Sequence, residues 1–150
     1  MARLLVVHHS PSLSTRGLAD AVLAGARLPE ITGVEVVERE ALQATVEDVL
    51  SADGYLLGTT ANFGYLSGAL KHFFDTTFHA THEATRKRPF SYWIHGGYDT
   101  TGAEIAMKSI TTGYGWQLVA EPLVFTGEVD EQQTQLAAEL GANVAASLMA

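Results

Sequence analysis

The chain has no cysteine. That excludes disulfides, thiolate metal sites and a thiol nucleophile. No apolar run approaches the roughly 18 residues of a membrane-spanning helix. Positive charge is scarce: nine Lys and Arg stand against seventeen Asp and Glu, a net charge of −8. Such a balance argues against nucleic-acid binding and suits a soluble protein or one that docks basic partners. Several catalytic signatures are missing too. There is no Gly-Lys-Ser/Thr core of a Walker loop, no GxGxxG and no HExxH. Gly64-Tyr65-Leu66-Ser67-Gly68 is not GxSxG, and no Ser-His-Asp arrangement is evident. The start of the chain carries no signal-peptide pattern, so a cytoplasmic location is the default expectation.

What is present fits one globular domain over residues 1–150. The stretch from Met1 to Ala24 organises the rest. Leu4-Leu5-Val6-Val7 is too short for a helix and reads as a buried strand. Ser10, Ser12, Ser14 and Thr15 crowd around Pro11. Leu18, Ala19, Val22 and Leu23 then mark one face of a helix, with Ser14 as its cap. A hydroxyl-rich turn at a helix N-terminus is a natural anion site. Arg16, rather than an acid, stands in the first turn, a placement that an anion bound beside it would offset.

Further on, Val34 to Arg39 reads as a second strand, and Thr45 to Asp48 as a capping box. Tyr55 to Thr59 is a third strand, and Thr60 to Tyr65 the loop that leaves it. Ser67 caps a helix whose face is Leu66, Ala69, Leu70, Phe73, Phe74, Thr77 and Phe78. Phe90 to His95 is a fourth strand, stopped by Gly96-Gly97. A capping-box pattern from Thr101 to Glu104 opens the next helix. A fifth strand, Gln117 to Phe125, is interrupted at Pro122. Asp130 caps the last helix, with Leu136, Ala137, Leu140, Val144 and Leu148 on its apolar face.

Five alternations of strand and helix imply an α/β fold, a parallel sheet with helices on both faces. Ligands in such sheets sit beyond the carboxyl ends of the strands, at the switch point. Three loops of unusual composition leave those ends: Ser10 to Thr15, Thr60 to Tyr65, and His95 to Asp99. The first suits a phosphate. The other two set aromatics beside glycines, which suits close approach to a flat ring.

These segments resemble the flavodoxin-like superfamily, and within it the small FMN-binding NAD(P)H-dependent reductases and quinone reductases. Ser10-Pro11-Ser12-Leu13-Ser14-Thr15-Arg16 resembles the family's phosphate loop. Gly58 to Gly64 resembles its ring loop. Ser67-Gly68-Ala69-Leu70-Lys71 with Phe74-Asp75 resembles the helix that follows. His95-Gly96-Gly97 resembles the third flavin loop. Leu13 stands where Gly is common, Ser14 where Asn is common, Thr60 where Pro is usual and Ala61 where Thr is frequent.

The resemblance implies a flavodoxin-like three-layer sandwich with a five-stranded parallel sheet in the order 2-1-3-4-5. It implies FMN as cofactor and NAD(P)H as electron donor, with a quinone, flavin or similar small molecule as acceptor. Ser10, Ser12, Leu13, Ser14 and Thr15 would hold the phosphate. Thr60, Ala61, Asn62, Phe63, Gly64 and Tyr65, with His95, Gly96, Gly97, Tyr98 and Asp99, would hold the ring. Hydride transfer to a flavin needs no side-chain acid or base, so no catalytic residue is nominated. An electron carrier without its own substrate and a non-catalytic flavin binder are the alternatives. Asp99 is the only acid in the three loops, which favours an enzyme over a carrier.

Three other clusters read more plainly. His72, His79, His82 and Glu83 form a polar helix face, and no metal is expected. Arg86, Lys87 and Arg88 read as a solvated loop, the alternative being a seat for the 2′-phosphate of NADPH. Phe73, Phe74 and Phe78 offer more apolar surface than one sheet face covers, so a homo-oligomer is expected.

Overall fold

The computed structural model describes residues 1–150. The chain runs β1 (Ala2–His8), α1 (Leu13–Ala26), β2 (Val34–Glu40), α2 (Val46–Ser51), β3 (Gly54–Asn62), β4 (Tyr65–Leu66) and α3 (Gly68–Thr81). It continues through β5 (Pro89–Gly96), α4 (Thr101–Tyr114), β6 (Gln117–Leu118), β7 (Leu123–Thr126) and α5 (Glu131–Ala146). No helix is long and apolar enough to cross a membrane.

The sheet has seven strands rather than five, along the path β2-β1-β3-β5-β6, with β4 paired to β3 and β7 to β5. Two local events make the difference. The fifth strand of the sequence reading breaks in two around Pro122, which has no N–H to give to a ladder. β6 pairs with the start of β5 and β7 with its end. At the break, the Ser91 hydroxyl donates to the Ala120 carbonyl at 2.9 Å. The second event is β4, which folds back antiparallel on β3 as a hairpin. The remaining pairings are parallel.

Alternation along the strands divides the core. Leu4, Val6, Leu56 and Trp93 face α1 and α5. Leu5, Val7, Tyr55, Leu57 and Ile94 face the side covered by α3 and α4, meeting Leu70, Phe73, Met107 and Tyr114. Each such side chain contributes about 1.5–3 kcal/mol on burial. α1 and α5 meet backbone to backbone: a Cβ on Gly25 would strike the Ala138 carbonyl, and one on Gly141 the Val22 carbonyl.

The phenylalanine surplus expected of α3 is absent. Phe73 and Phe74 are buried. Phe78 is half-buried, edge-on to Tyr114 and stacked on His82 with ring centroids 4.5 Å apart. Lys71 pairs with Asp75 at 2.7 Å on the same helix.

The basic run divides as well. Arg86 and Lys87 are exposed, but Arg88 turns inward as a clamp. One guanidinium nitrogen of Arg88 donates to the Ala52 carbonyl at 2.7 Å and the Leu50 carbonyl at 3.0 Å. The run precedes β5 and therefore lies at the amino edge of the sheet, opposite the three candidate loops.

Candidate functional site

β1, β3 and β5 are neighbours and run parallel, so their carboxyl ends share one edge. The register sets His8 opposite Gly58 and Thr60 opposite His95. All three loops singled out in the sequence therefore leave the same edge.

In the first loop, Ser12 caps α1, not Ser14. Ser12 takes extended backbone, φ −123° and ψ 167°, and its hydroxyl accepts the Thr15 N–H at 3.2 Å. The Thr15 hydroxyl in turn accepts the Ser12 N–H at 3.0 Å. The cap therefore falls two residues earlier, and Ser14 is already helical. The Ser14 and Ser12 hydroxyl oxygens are 3.3 Å apart. No acid occupies the first turn. The N–H groups of Leu13 and Ser14 belong to that turn and have no intrahelical acceptor. Leu13 is 93% exposed, so it leaves the turn open where the family commonly has Gly.

Arg16 does not wait for an external anion. Its guanidinium holds Glu38 at 2.9 Å and Asp20 at 2.9 Å. The hydrogen bond to Glu38 raises its pKa above the ordinary value. Glu38 also accepts from the Nε2 side of His8 at 2.7 Å. Burial pushes the Glu38 carboxyl up, but the bonds from His8 and Arg16 outweigh burial and hold it below the usual carboxylate range. The Nδ1 of the fully buried His8 lies 2.8 Å from the Ser10 hydroxyl. A connected chain thus runs Ser10–His8–Glu38–Arg16–Asp20. Sequence reasoning placed Ser10 in the site but missed Glu38, which arrives from β2.

The second loop is mostly strand. Thr60, Ala61 and Asn62 belong to β3 and Tyr65 to β4, leaving Phe63-Gly64 as a two-residue hairpin turn. Both take positive φ, 52° and 79°. Turns of this kind match the strand twist and favour Gly or Asn. A bulky Phe there is an outlier, yet Phe63 is fully exposed, so no core packing explains it. The Thr60 hydroxyl donates to Asn62 Oδ1 at 2.9 Å. Below the turn, the buried Thr59 hydroxyl accepts the Ser67 N–H at 3.0 Å, and the Ser67 hydroxyl caps α3 by accepting the Leu70 N–H.

The third loop leads into α4. No hydroxyl caps this helix: Thr100 is at the cap position, and its hydroxyl donates instead to the Glu104 carboxylate at 3.0 Å. The capping-box reading of Thr101 to Glu104 is therefore corrected. Asp99 does the work, accepting the Thr101 N–H at 3.0 Å, and that bond lowers its pKa. Gly96 is packed so closely that a Cβ would lie 3.1 Å from both Ala61 and Thr100. Gly97 faces open space. Tyr98 is 86% exposed. His95 turns aside: its Nε2 is 2.6 Å from the Gly127 carbonyl and its ring leans on Phe125.

The second and third loops touch. A Cβ on Gly64 would lie 3.6 Å from Asp99 Oδ2. Phe63, Tyr65 and Tyr98, all exposed, therefore crowd one stretch of the edge. The α1 turn leaves the same edge, from the neighbouring strand β1. A hollow of about 530 Å³ lies beside the first loop, lined by Arg16, Glu38, Arg39, Glu40 and Gln43, and another of about 490 Å³ lies away from it, beside Ala24 and Ala138 on α1 and α5. The hydroxyls and free N–H groups of the first loop form the donor set that a phosphate ester needs. The aromatic tips suit a planar ring. The residues present fit FMN.

The family model for NADPH-dependent FMN reductase matches residues 15–131. A protein of Aquifex aeolicus (strain VF5) called flavodoxin is 34% identical over 113 residues, 75% of this chain and 60% of that protein. An NAD(P)H dehydrogenase (quinone) of Chelativorans sp. (strain BNC1) is 30% identical over 128 residues, covering 73% of this chain and 64% of that one. The chain thus spans about three fifths of the curated relatives it matches. Among solved structures, a flavodoxin from the domain Archaea superposes with a TM-score of 0.81 at 18% identity, over 97% of both chains. A WrbA-like flavodoxin from Agrobacterium tumefaciens gives 0.78 at 19% identity, over 97% and 96%. At those identities the structures show the fold, which is flavodoxin-like. The family match covers most of the chain and the fold agrees with it: the chain belongs to the NADPH-dependent FMN reductase family and has a flavodoxin-like fold.

Proposed function

We propose that the chain is an FMN-binding oxidoreductase that takes electrons from NAD(P)H and delivers them to a quinone, a free flavin or a similar small acceptor. One observation carries the reading. An acid-free, hydroxyl-capped helix N-terminus and two touching, aromatic-tipped loops occupy the same sheet edge. When bound, FMN supplies the redox chemistry. The chain's own part is to bind and orient. Ser12, Ser14 and Thr15 give donors to the phosphate. Ala61 to Tyr65 and Gly96 to Asp99 border the ring, with Phe63, Tyr65 and Tyr98 available to cover it. His95, held by Gly127, steadies the end of β5 rather than facing the ring. No side chain is assigned a proton-transfer role.

A second reading, an electron carrier, is supported by the relative called flavodoxin. Carriers dock through acidic rims, and the three loops here hold one acid, Asp99. Steady-state oxidation of NADH and NADPH by the FMN-loaded protein, with a quinone present, separates the two. Turnover supports the reductase. Reduction only through a partner reductase would make the chain a carrier. Assembly as a homo-oligomer is part of the same proposal and rests on the resemblance. A monomer by light scattering at micromolar concentration would remove it.

A further inference from the structure

Nine Lys and Arg carry the chain's positive charge, and their places decide where a second phosphate ester could be received. Arg86, Lys87 and Arg88 stand before β5, at the amino edge. Arg3 pairs with Glu35 at the start of β1, and Arg27 ends α1 on that same side. Lys108 lies midway along α4. The other three are at the carboxyl edge, and each is held by a carboxylate. Lys71 pairs with Asp75 at 2.7 Å and Arg39 with Asp48 at 3.3 Å. Arg16 is shared between Glu38 and Asp20, both at 2.9 Å. Thus no free Lys or Arg stands on the edge that would hold FMN.

The hollow of about 530 Å³ beside the phosphate loop lies on this edge, walled by Arg16, Glu38, Arg39, Glu40 and Gln43. Every wall residue is polar. Its two guanidiniums face four carboxylates: Glu38 and Glu40 in the wall, and Asp20 and Asp48 paired to the arginines. The excess is negative and opposes a phosphate monoester. Glu40 closes β2 opposite His8, and Gln43 follows in the turn. Both are exposed. A carboxylate accepts from the two hydroxyls of a vicinal diol, and an amide offers donor and acceptor side by side, as the edge of adenine requires. Guanidiniums fixed by carboxylates present flat faces on which a base can stack. Together these groups suit a ribose without a 2′-phosphate, and its adenine. Only β1 and β3 separate β2 from β5. At the usual strand spacing the hollow is roughly 10–15 Å from the ring loops, a gap that an extended dinucleotide bridges.

We propose that this hollow seats the adenosine of the electron donor, that Glu40 accepts from its ribose hydroxyls, and that the donor is therefore NADH rather than NADPH, whose 2′-phosphate would meet carboxylates and no free Lys or Arg. The inference rests on the reading of the chain as an NAD(P)H-dependent reductase.

The test uses the FMN-loaded protein. The kcat/KM for NADH should exceed that for NADPH by about tenfold or more, the cost of setting like charges together. Glu40→Lys, at an exposed position that tolerates substitution, should cut the ratio by about tenfold or invert it, chiefly through the KM for NADPH. Binding is read apart from turnover by titrating NAD⁺ and NADP⁺ while the Gln43 side-chain amide is followed by ¹⁵N NMR. NAD⁺ should shift that amide and bind more tightly than NADP⁺, and Glu40→Lys should reverse the order. Equal or better turnover with NADPH overturns the proposal while leaving the reductase reading intact. So does NADP⁺ binding as tightly as NAD⁺, or NAD⁺ that saturates the protein and leaves Gln43 unmoved. Oxidation of neither dinucleotide by protein that holds FMN overturns the reductase reading and the proposal with it.

Discussion

Gly102 in the first turn of α4 lies against the Gly64 carbonyl of the hairpin, so closely that a Cβ on Gly102 would sit 2.5 Å from that oxygen. The hairpin tip is therefore seated on a helix that begins at the neighbouring loop. Gly102→Ala should push the Phe63-Gly64 turn outward. The overpacking costs about 1–3 kcal/mol, and most of it should appear as weaker FMN binding, since the turn can move at little cost to the core. Fluorescence titration beside a thermal melt checks this. A large fall in Tm with unchanged affinity would mean that the hairpin is not part of the site.

The cap of α1 has two jobs that can be separated. Replacing both Ser12 and Thr15 by Ala removes the reciprocal cap, at about 1 kcal/mol of stability. The two hydroxyl oxygens are 2.8 Å apart and share one of their protons, so the pair also removes one donor to a charged group, roughly 1.5–3 kcal/mol. FMN affinity should therefore fall far more than riboflavin affinity, measured in the same titration. Equal losses would mean that the turn holds something other than the phosphate.

Alkaline stability should report on Tyr114. Burial pushes its hydroxyl up to about 12 from an ordinary value of 10. The folded state thus keeps the neutral phenol while the unfolded chain ionises. This contribution to stability is whole below pH 10 and is lost as pH rises through about 12. The hydroxyl lies 2.8 Å from that of Thr77 and 3.1 Å from the Phe74 carbonyl. Tyr114→Phe should cost about 1 kcal/mol at neutral pH and flatten the decline between pH 10 and 12. Urea melts across pH measure both.

Arg88 should behave as a structural residue. Its guanidinium ties β5 to the carbonyls at the end of α2, and losing hydrogen bonds to a charged group costs about 1.5–3 kcal/mol. Arg88→Ala should lower the urea midpoint and leave the KM ratio of NADPH to NADH unchanged. A selective rise in KM for NADPH would return this residue to the 2′-phosphate role.

The sequence makes the scaffold legible because its signals are local. Leu4 to Val7, the α3 face and the glycines at the end of β5 each announce themselves within a few residues. That the three candidate segments, Ser10 to Thr15, Thr60 to Tyr65 and His95 to Asp99, leave the carboxyl edge of the sheet is legible for the same reason. What stayed hidden depends on distant partners. Ser12 and Ser14 offer the same hydroxyl, and only the extended backbone at Ser12 picks the cap. Glu38 belongs to the site through the β1–β2 register, which brings it to His8. The break at Pro122 was visible, but that its halves pair with opposite ends of β5 was not. Thr60 to Tyr65 read as a loop because nothing in Phe63 announces a positive φ. Arg88 sits in a run of charge that looks solvated until the end of α2 arrives beside it.

The central claim is that one sheet edge holds FMN by its phosphate and its ring. Titrating the flavin-free protein with FMN, while recording absorbance and flavin fluorescence, tests it most directly. The account predicts saturation at one FMN per chain, perturbed flavin bands and strong quenching by Tyr65, Tyr98 or Phe63. Tyr65→Leu with Tyr98→Leu should then bind more weakly by about 0.5–1.5 kcal/mol per lost contact and emit more brightly. Flavin bands and emission that stay those of free FMN throughout the titration would contradict it.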